Sequence, residues 1–274
     1  MQVGIFAKTF PGTEPLPVLK AVRAAGYDCA QFNMACCGLP AMPDAIGSET
    51  IAAIDAAVST AGVQLVALSG TYNMIHPDKA VRSAGLRRLQ VLLEAARALQ
   101  IPLVTLCTGT RDAEDQWRHH PDNAKADAWS DLIREMERAV GMAELLGVDL
   151  GIEPEQANVV TSAKDAKTLI DAIGSKRIRI VLDPANLFEV ANRPQAQRMV
   201  AEAIDLLGPS IAMAHAKDRY PDGNFATAGT GVVDFADFVA RLNAVRFEGA
   251  MVTHGLSADE APDVAAYLHG LTGK

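Results

Sequence analysis

Short apolar runs alternate with longer segments of helical periodicity along almost the whole chain. The run IRIVL that begins at residue 178 is apolar enough for a strand buried on both faces, and it stops at Asp183 and Pro184. Residues 78–99 instead repeat leucine and alanine at helical spacing, which predicts an amphipathic helix. The pattern predicts eight strands and eight helices in alternation. The predicted strands are 3–7, 29–32, 65–68, 103–107, 149–152, 178–182, 211–214 and 250–252.

Helix-start and helix-end signals set the remaining boundaries. Several predicted helices end at a glycine, the residue that favours the left-handed conformation of a C-cap. Ser162 with Asp165, and Ser257 with Glu260, have the spacing of a capping pair. The polar segment 108–128 is too long for an ordinary strand-to-helix turn, so it is either a lid or an insertion. The predicted helices are 15–25, 48–61, 78–99, 129–146, 194–207 and 234–243, with two more that begin near Ser162 and Ser257.

This alternation predicts the fold class directly. Eight strand–helix units in 274 residues match the roughly 250 residues of an α/β protein of the (β/α)8 TIM-barrel type. A doubly wound open sheet is the alternative, but no G-x-G-x-x-G motif follows the first strand. Because no linker or shift of composition divides the chain, we expect residues 1–274 to form a single domain.

Composition and charge narrow the range of partners. The formal net charge is -8, which argues against nucleic acid as the main partner because phosphate neutralisation needs a basic surface. No apolar run approaches the length of a membrane span, and no targeting segment is recognisable at the N-terminus. The four cysteines lack zinc-site spacing and are interpreted as reduced thiols. We therefore expect a cytoplasmic protein with a small-molecule partner; a homo-oligomer is possible.

Four side chains able to bind a metal stand at the ends of the last four predicted strands: Glu153, Asp183, His215 and His254. Each has an ordinary structural explanation when it is taken alone, such as a loop cap, an Asp-Pro turn or a buried histidine. In a barrel, however, the C-terminal ends of all strands converge on one mouth. Two carboxylates and two imidazoles suit a divalent ion such as Mn²⁺, Zn²⁺, Fe²⁺, Co²⁺ or Mg²⁺ better than Ca²⁺.

Short motifs next to these strand ends carry a family resemblance. They are GIEPE at 151–155, LDPAN at 182–186, HAKD at 215–218, AGTGVVDF at 228–235 and FEG at 247–249. With these motifs the chain resembles, over essentially its whole length, the xylose isomerase-like TIM-barrel family of sugar-phosphate isomerases and epimerases. The resemblance implies a divalent metal ion and a small sugar or polyol substrate, and it leaves the substrate's identity open.

The resemblance also assigns the metal ligands, with one departure. In the family a glutamate of strand five, an aspartate of strand six and a histidine of strand seven bind the metal together with a second glutamate from strand eight. Glu153, Asp183 and His215 match the first three. At the fourth place this sequence has Thr253 followed by His254, so either His254 or a water completes the metal's shell. Epimerases of this kind use both glutamates, which makes two-base epimerisation harder for this chain.

Several reactions fit one metal and one carboxylate base. The first hypothesis is isomerisation or epimerisation by proton abstraction beside a metal-polarised carbonyl, with Glu153 as base and Lys217 as proton donor. Glu155 is a weaker candidate for the base. The alternatives are a dehydratase or lyase acting on a cyclic polyol or keto acid, and a non-catalytic sugar-binding barrel that has lost the strand-eight glutamate.

Further polar residues lie at or just past strand ends, where they would bind substrate hydroxyls. Membership in the matching motifs favours a functional role for Asn186, Lys217 and Asp218. A loop-bracing role is at least as good an explanation for Lys8, Gln31, Asn33 and His76. Trp117 and Arg118, in the segment 108–128, could cover a bound substrate. The substrate-binding candidates are Gln31, Asn33, His76, Asn186, Asp218 and Arg219.

Overall fold

The computed structural model describes residues 1–273 as a closed parallel barrel surrounded by helices. Within these residues, eight strands follow one another around the barrel in the order β1-β2-β3-β4-β5-β6-β7-β10, and β10 pairs with β1 to close it. The predicted (β/α)8 TIM barrel is therefore confirmed. The strands are β1 Gln2–Phe6, β2 Cys29–Phe32, β3 Gln64–Ser69, β4 Leu103–Leu106, β5 Asp149–Ile152, β6 Ile178–Leu182, β7 Ile211–Ala216, β8 Asp218–Arg219, β9 Phe225–Ala226 and β10 Ala250–Thr253.

The helices form the outer layer, each packing over the strands that flank it in the chain. Ser162 at the start of α5 and Asp234 at the start of α7 accept backbone N–H groups as N-caps. Gly147 follows α4 with φ 72°, a left-handed conformation that glycine adopts without strain. The helices are α1 Pro15–Ala24, α2 Ser48–Ala61, α3 Lys79–Ala98, α4 Ala126–Leu146, α5 Ala163–Ile173, α6 Arg193–Leu207, α7 Phe235–Ala244 and α8 Ala261–Thr272.

Two hydrophobic layers hold the barrel together. The larger one lies between strands and helices, where side chains such as Ile180 and Leu169 are fully buried. The smaller one fills the barrel interior with residues taken from alternating positions of the strands. Gly151 belongs to this interior: a Cβ atom there would lie 2.8 Å from Cγ2 of Val181. The interior layer consists of Cys29, Ala67, Leu103, Val181, Met213, Ala250 and Val252.

Most predicted element ends agree with the structure to within one or two residues, and the larger departures concern α4, α8 and the β8–β9 pair. Helix α4 begins at Ala126, three residues before the predicted start at 129. Helix α8 begins only at Ala261; the Ser257 hydroxyl donates to the Glu260 carboxylate, so the predicted capping box is replaced by a separate turn. Strands β8 and β9 form an antiparallel pair that the periodicity did not predict, because two-residue strands are too short to show it.

The segment 108–128 is neither a helix nor an extended strand until Pro121, where a short 3-10 turn begins. Its base is fixed by buried side chains. The Asn158 Oδ1 atom accepts the Gly109 N–H at 2.8 Å, and Asn123 Nδ2 donates to the carbonyl of Ala157 at 3.0 Å. Trp117, near the tip, remains half-exposed. Among residues 1–273, no helix is long and apolar enough to span a membrane.

Candidate metal centre

The alternation of side chains along the strands brings the predicted metal ligands to one place. Successive residues of a strand point to opposite faces, so the residue two positions after an interior residue also points inward. Val181 is interior, and Asp183 follows it by two; Val252 is interior, and His254 follows it by two. The same spacing relates the interior Met213 to His215. The mouth of the barrel directly above the interior layer is therefore lined with acids and imidazoles.

These four side chains form a compact group. One ligand atom from each of Glu153, Asp183, His215 and His254 can be chosen so that all four lie within 4.8 Å of one another. His215 Nδ1 lies 3.3 Å from Glu153 Oε1, and His254 Nε2 lies 3.2 Å from Asp183 Oδ2. The centroids of the two imidazole rings are 4.4 Å apart.

Thr253, which occupies the place expected for the family's second glutamate, points to the opposite face of the sheet from His254. Its side chain is fully buried, and its hydroxyl donates to the carbonyl of Ala216 at 2.8 Å. Since the hydroxyl is committed to the strand β7 backbone, Thr253 supports the sheet. His254 is the residue that the end of β10 presents to the mouth.

A second layer of residues holds the first in orientation. His215 Nε2 lies 3.0 Å from Gln31 Oε1, and Gln31 Nε2 donates to Thr105 Oγ1 at 3.3 Å. Gln31 was expected to bind substrate, whereas the structure places it behind an imidazole. Thr105 was missed by the sequence analysis. Its inward position on β4, two residues after the interior Leu103, is a signal that could have identified it.

Lys217 and Asn186 complete the polar group on the side of the carboxylates. Asn186 Nδ2 donates to Glu153 Oε1 at 2.8 Å, and Lys217 Nζ donates to Asn186 Oδ1 at 3.4 Å. Lys217 Nζ also lies 3.8 Å from Asp183 Oδ2 and 3.5 Å from the centre of the Phe225 ring. The ammonium therefore stands between the buried acids and the β8–β9 pair.

Burial and charge have opposite effects on the acids. Burial by itself raises the pKa of Glu153, but the charge of His215 outweighs burial, with a contribution from His254. Burial likewise raises the pKa of Asp183, but the charge of Lys217 outweighs it, again with a contribution from His254. The pKa of both carboxyls thus lies below its ordinary value, and both are ionised at neutral pH.

The two imidazoles differ in the same environment. Burial lowers the pKa of His215, yet the charges of Glu153 and Asp183 outweigh burial and raise it above its ordinary value. Burial and the neighbouring charge of His215 lower the pKa of His254. At the mouth, Glu155 has a pKa raised to about 7, first by burial and then by the charge of Glu153.

The remaining predicted substrate-binding residues lie around the group or apart from it. Asp218 accepts the backbone N–H groups of Gly229, Gly231 and Val233, so its carboxylate holds the loop before α7. Arg219 Nε donates to the carbonyl of Ala185 at 2.9 Å and therefore braces the turn after β6.

Asn33 and His76 make contacts of another kind. The Asn33 side chain accepts the Ala35 N–H at 2.9 Å and caps the turn that follows β2. His76 Nε2 lies 3.0 Å from the carbonyl of Ala113, and the residue lines a separate cavity of about 400 Å³. Neither residue contributes to the group of four potential ligands.

Comparison with known proteins gives the family. Residues 19–271 match the model of the family described as xylose isomerase-like TIM barrel. The chain belongs to this family. Among curated proteins, no sequence matches this xylose isomerase-like barrel.

Solved structures similar to this xylose isomerase-like barrel cover nearly its whole length at low sequence identity. The apo form of 3-keto-D-glucoside 4-epimerase, YcjR, from E. coli superposes with a TM-score of 0.78 at 17% identity, covering 98% of this chain and 99% of that one. D-psicose 3-epimerase with D-tagatose from Clostridium cellulolyticum H10 gives 0.74 at 15% identity, with 99% of each chain covered. The IOLI protein with a binding zinc atom gives 0.75 at 15% identity, covering 100% and 98%. At such identities these similarities establish the fold.

The group of four side chains in this xylose isomerase-like barrel has the chemistry of a metal site. Asp183 is buried and Glu153 partly buried, and two ionised carboxylates in such a site repel each other unless a cation lies between or beside them. Lys217 supplies one positive charge at 3.8 Å from Asp183, and the imidazoles supply nitrogen donors. This donor set fits a divalent ion with mixed oxygen and nitrogen preference.

Proposed function

We propose that this chain is a divalent-metal-dependent isomerase or epimerase acting on a small sugar or polyol derivative. The observation that carries the proposal is the convergence of Glu153, Asp183, His215 and His254 within 4.8 Å at the barrel mouth. Similar structures that are named for epimerisation of keto sugars, and one that holds zinc, give further support. Active sites of TIM barrels lie at this face of the fold.

Glu153 is the residue best placed to remove a proton from the substrate. The chemistry that a divalent ion supplies when bound is polarisation of a substrate carbonyl, which makes the neighbouring C–H bond more acidic. Asn186 and His215 both contact Oε1 of Glu153, at 2.8 and 3.3 Å, so we assign proton abstraction to Oε2. The low pKa of Glu153 keeps the carboxylate ionised and ready to accept that proton.

Lys217 is the second residue in the proposed reaction. Its ammonium would donate a proton to an enolate-like oxygen or carbon of the substrate. Asn186 Oδ1 and the Phe225 ring hold the ammonium in place. Asp183 Oδ2 lies 3.8 Å from the same nitrogen, so the ammonium stands next to a metal-binding carboxylate.

A dehydratase or lyase is the second candidate, and one observation favours it. The end of β10 presents an imidazole to the mouth and directs Thr253 into the sheet, so the second glutamate expected from the family resemblance has no counterpart there. Dehydration needs one proton abstraction and the departure of a hydroxyl group, which a single carboxylate can serve. A sugar-binding barrel without turnover is the third candidate and is favoured by the same observation.

Metal analysis followed by a substrate screen tests the proposal. Protein purified without chelator is expected to retain a divalent metal and to lose activity when the metal is removed. Ketoses and polyol-derived ketones are incubated in D2O with the metal-loaded enzyme. Incorporation of deuterium beside the carbonyl with unchanged skeleton indicates isomerisation or epimerisation, whereas loss of water indicates a dehydratase.

Two variants complete this experiment. Glu153→Gln is expected to abolish deuterium incorporation, since the amide cannot accept the proton. Glu137→Gln, on the exposed face of α4, is the matched control and is expected to leave incorporation unchanged. Protein that retains no metal, or deuterium incorporation that survives in Glu153→Gln, would contradict the proposal.

A further inference from the structure

A cleft lies beside the candidate metal centre at the mouth of the barrel. It has a volume of about 590 Å³ and is formed by the segment around Trp117, the loops after β5 and β6, and the β8–β9 pair. We call it the mouth cleft. Its lining includes Trp117, Arg118, Gln156, Arg219, Asn224 and Phe225.

The mouth cleft is separated from the metal centre by a single side chain. Phe225 lines the cleft, and its ring centre lies 3.5 Å from Lys217 Nζ. That nitrogen is in turn 3.8 Å from Asp183 Oδ2. Glu155, two residues after Glu153, also lines the cleft. The cleft and the metal centre are therefore neighbours, with Phe225 and Lys217 at their boundary.

The cleft is large enough to hold a ligand group of its own. Pockets of roughly 300–1,000 Å³ enclose drug-sized ligands. The mouth cleft reaches about 590 Å³ without including any of the four potential metal ligands in its lining. A monosaccharide bound at the metal centre would leave this volume to solvent.

The charged groups of the cleft do not form a phosphate-binding site. Arg118 is paired with Asp112, at 2.5 Å, and with Glu114, at 3.0 Å. Arg219 donates to the carbonyls of Ala185 and Gly223. Both guanidinium groups that line the cleft are thus already committed to oxygen atoms of the protein.

Carboxylates in the lining also disfavour a phosphate. The lining includes the carboxylates of Glu189 and Asp222 besides the two arginines. A dianionic phosphate would be repelled by these acids and would find each arginine engaged elsewhere. The cleft therefore suits an uncharged ligand.

The uncharged surfaces of the cleft match a hydroxyl-rich ring. Trp117 is 48% exposed and Phe225 is 50% exposed, so both offer apolar surface to the cleft. The side-chain amides of Gln156 and Asn224 add carbonyl oxygens as acceptors to the same lining, while their nitrogens already donate to Thr161 and Asp222. Aromatic surface combined with a few polar groups recognises ligands that have an apolar face and a polar edge, as sugar rings do.

We propose that the mouth cleft is a second subsite, which binds an uncharged, hydroxyl-rich group joined to the sugar that reacts at the metal centre. The substrate class is then a glycoside or disaccharide derivative rather than a sugar phosphate. This inference rests on the proposed function for the identity of the reacting group, but binding in the cleft can be measured without turnover.

Binding of defined sugars tests the subsite. Cellobiose, maltose and lactose are compared with glucose and glucose 6-phosphate by saturation-transfer NMR and titration calorimetry, using both chelator-treated and metal-loaded protein. We expect at least one disaccharide to bind tenfold or more tightly than glucose and glucose 6-phosphate. Trp117→Ala is expected to abolish this difference. The control is Leu145→Ala, which removes another exposed apolar side chain, 82% exposed and outside the cleft, and should preserve the difference.

The outcomes separate this inference from the proposed function. Equal binding of mono- and disaccharides, tightest binding of glucose 6-phosphate, no binding of any disaccharide, or full binding by Trp117→Ala would each overturn the subsite. Metal content and deuterium incorporation are measured on the same preparations. Protein that binds disaccharides but neither holds metal nor incorporates deuterium would contradict the proposed function alone.

Discussion

A buried neighbour of His215 determines which of its ring nitrogens is available to a metal ion. Its Nε2 lies 3.0 Å from Gln31 Oε1, an acceptor, so the proton of the neutral ring is held on Nε2. Nδ1, the atom that faces Glu153, is then left with a lone pair for a metal ion. The bond from Gln31 Nε2 to Thr105 keeps the amide in this orientation. Partners of this kind raise the affinity of metal sites.

Replacing Gln31 should therefore weaken metal binding. We expect Gln31→Leu to raise the dissociation constant for Zn²⁺ or Mn²⁺ by about 10–100-fold, because the acceptor for His215 Nε2 is lost. Gln31→Glu retains an acceptor oxygen and should retain most of the affinity. Competition with a chelating dye measures both constants. Gln90→Leu, on the exposed face of α3, serves as the control, and equal losses in Gln31→Leu and Gln31→Glu would refute the role of the acceptor.

Metal affinity should depend on pH through His215. The charges of Glu153 and Asp183 raise the pKa of this imidazole above 6.5, against the effect of burial. Below that pKa a metal must displace the ring proton, so affinity should fall by about tenfold for each pH unit. Above it the dependence should level off. Dissociation constants measured between pH 5 and 8 check this, and a constant affinity over that range would be inconsistent with it.

Glu155 should lower the stability of the metal-free protein at alkaline pH. Its pKa is about 7 in the folded protein against 4.5 ordinarily, chiefly because of burial. The fold thus prefers the protonated acid, and stability is lost as pH rises from 4.5 through 7. Glu155→Gln imitates the protonated form. We expect it to increase the free energy of unfolding at pH 8 by on the order of 2–3 kcal/mol.

The same substitution should have little effect at pH 4, where Glu155 is protonated in the folded and the unfolded chain. Urea unfolding at the two pH values measures the difference. A gain of equal size at both would show that Glu155→Gln stabilises the protein through something other than the lost charge.

At the scale of elements, the alternation of side chains along β10 decides which residue at its end faces the barrel mouth. The family resemblance left His254 or a water as the fourth metal ligand, because Thr253 stands where the second glutamate was expected. The interior position of Val252 places His254 inward and Thr253 outward, as the bond from Thr253 to Ala216 confirms. The alternation of side chains along β10 is enough for this assignment once the residues that face the barrel interior are known.

The interior of the barrel should tolerate no added volume at strand β5. A Cβ atom on Gly151 would lie 2.8 Å from Val181 and 3.2 Å from Leu103. We expect Gly151→Ala to lower the free energy of unfolding by about 1–3 kcal/mol through overpacking. Gly141→Ala is the matched control. Gly141 lies exposed in α4 with nothing within 4 Å of its Cβ position, so alanine should stabilise the helix by about 0.5–1 kcal/mol. Thermal unfolding of the two variants measures whether Gly151→Ala lowers the stability of the protein and Gly141→Ala raises it.

Element prediction from the sequence failed where segments were short. The eight barrel strands and eight outer helices of residues 1–273 were predicted, because apolar periodicity extends over several residues in each. The β8–β9 pair, with two residues in each strand, carries no periodicity. Its position beside the metal centre follows from the packing of Phe225 against Lys217 and Arg219.

At the scale of the whole molecule, a metal ion would connect distant parts of the chain. The four potential ligands come from β5, β6, β7 and β10, so an ion between them would join strands across half of the barrel. An unfolded chain cannot bring these residues together, and metal binding is then linked to folding.

Metal addition should therefore raise the unfolding temperature. At a free concentration of 100 times the dissociation constant, we expect a gain of about 2.7 kcal/mol, which corresponds to several degrees in a chain of this size. Scanning calorimetry with and without chelator measures the shift. Asp183→Asn should remove it, whereas Asp237→Asn on α7 should preserve it. An unchanged unfolding temperature on metal addition to the wild-type protein would argue against a metal site at the barrel mouth.

The sequence by itself determined the barrel, the family and the four strand-end side chains, because hydrophobic periodicity and short motifs are written into neighbouring residues. Only the tertiary structure decided how those side chains are supported. The contact between His215 and Gln31 spans 184 positions of the chain, and the mouth cleft is assembled from four separate segments. Contacts of this kind exist only after the barrel closes, since closure brings strand ends together that no local pattern relates.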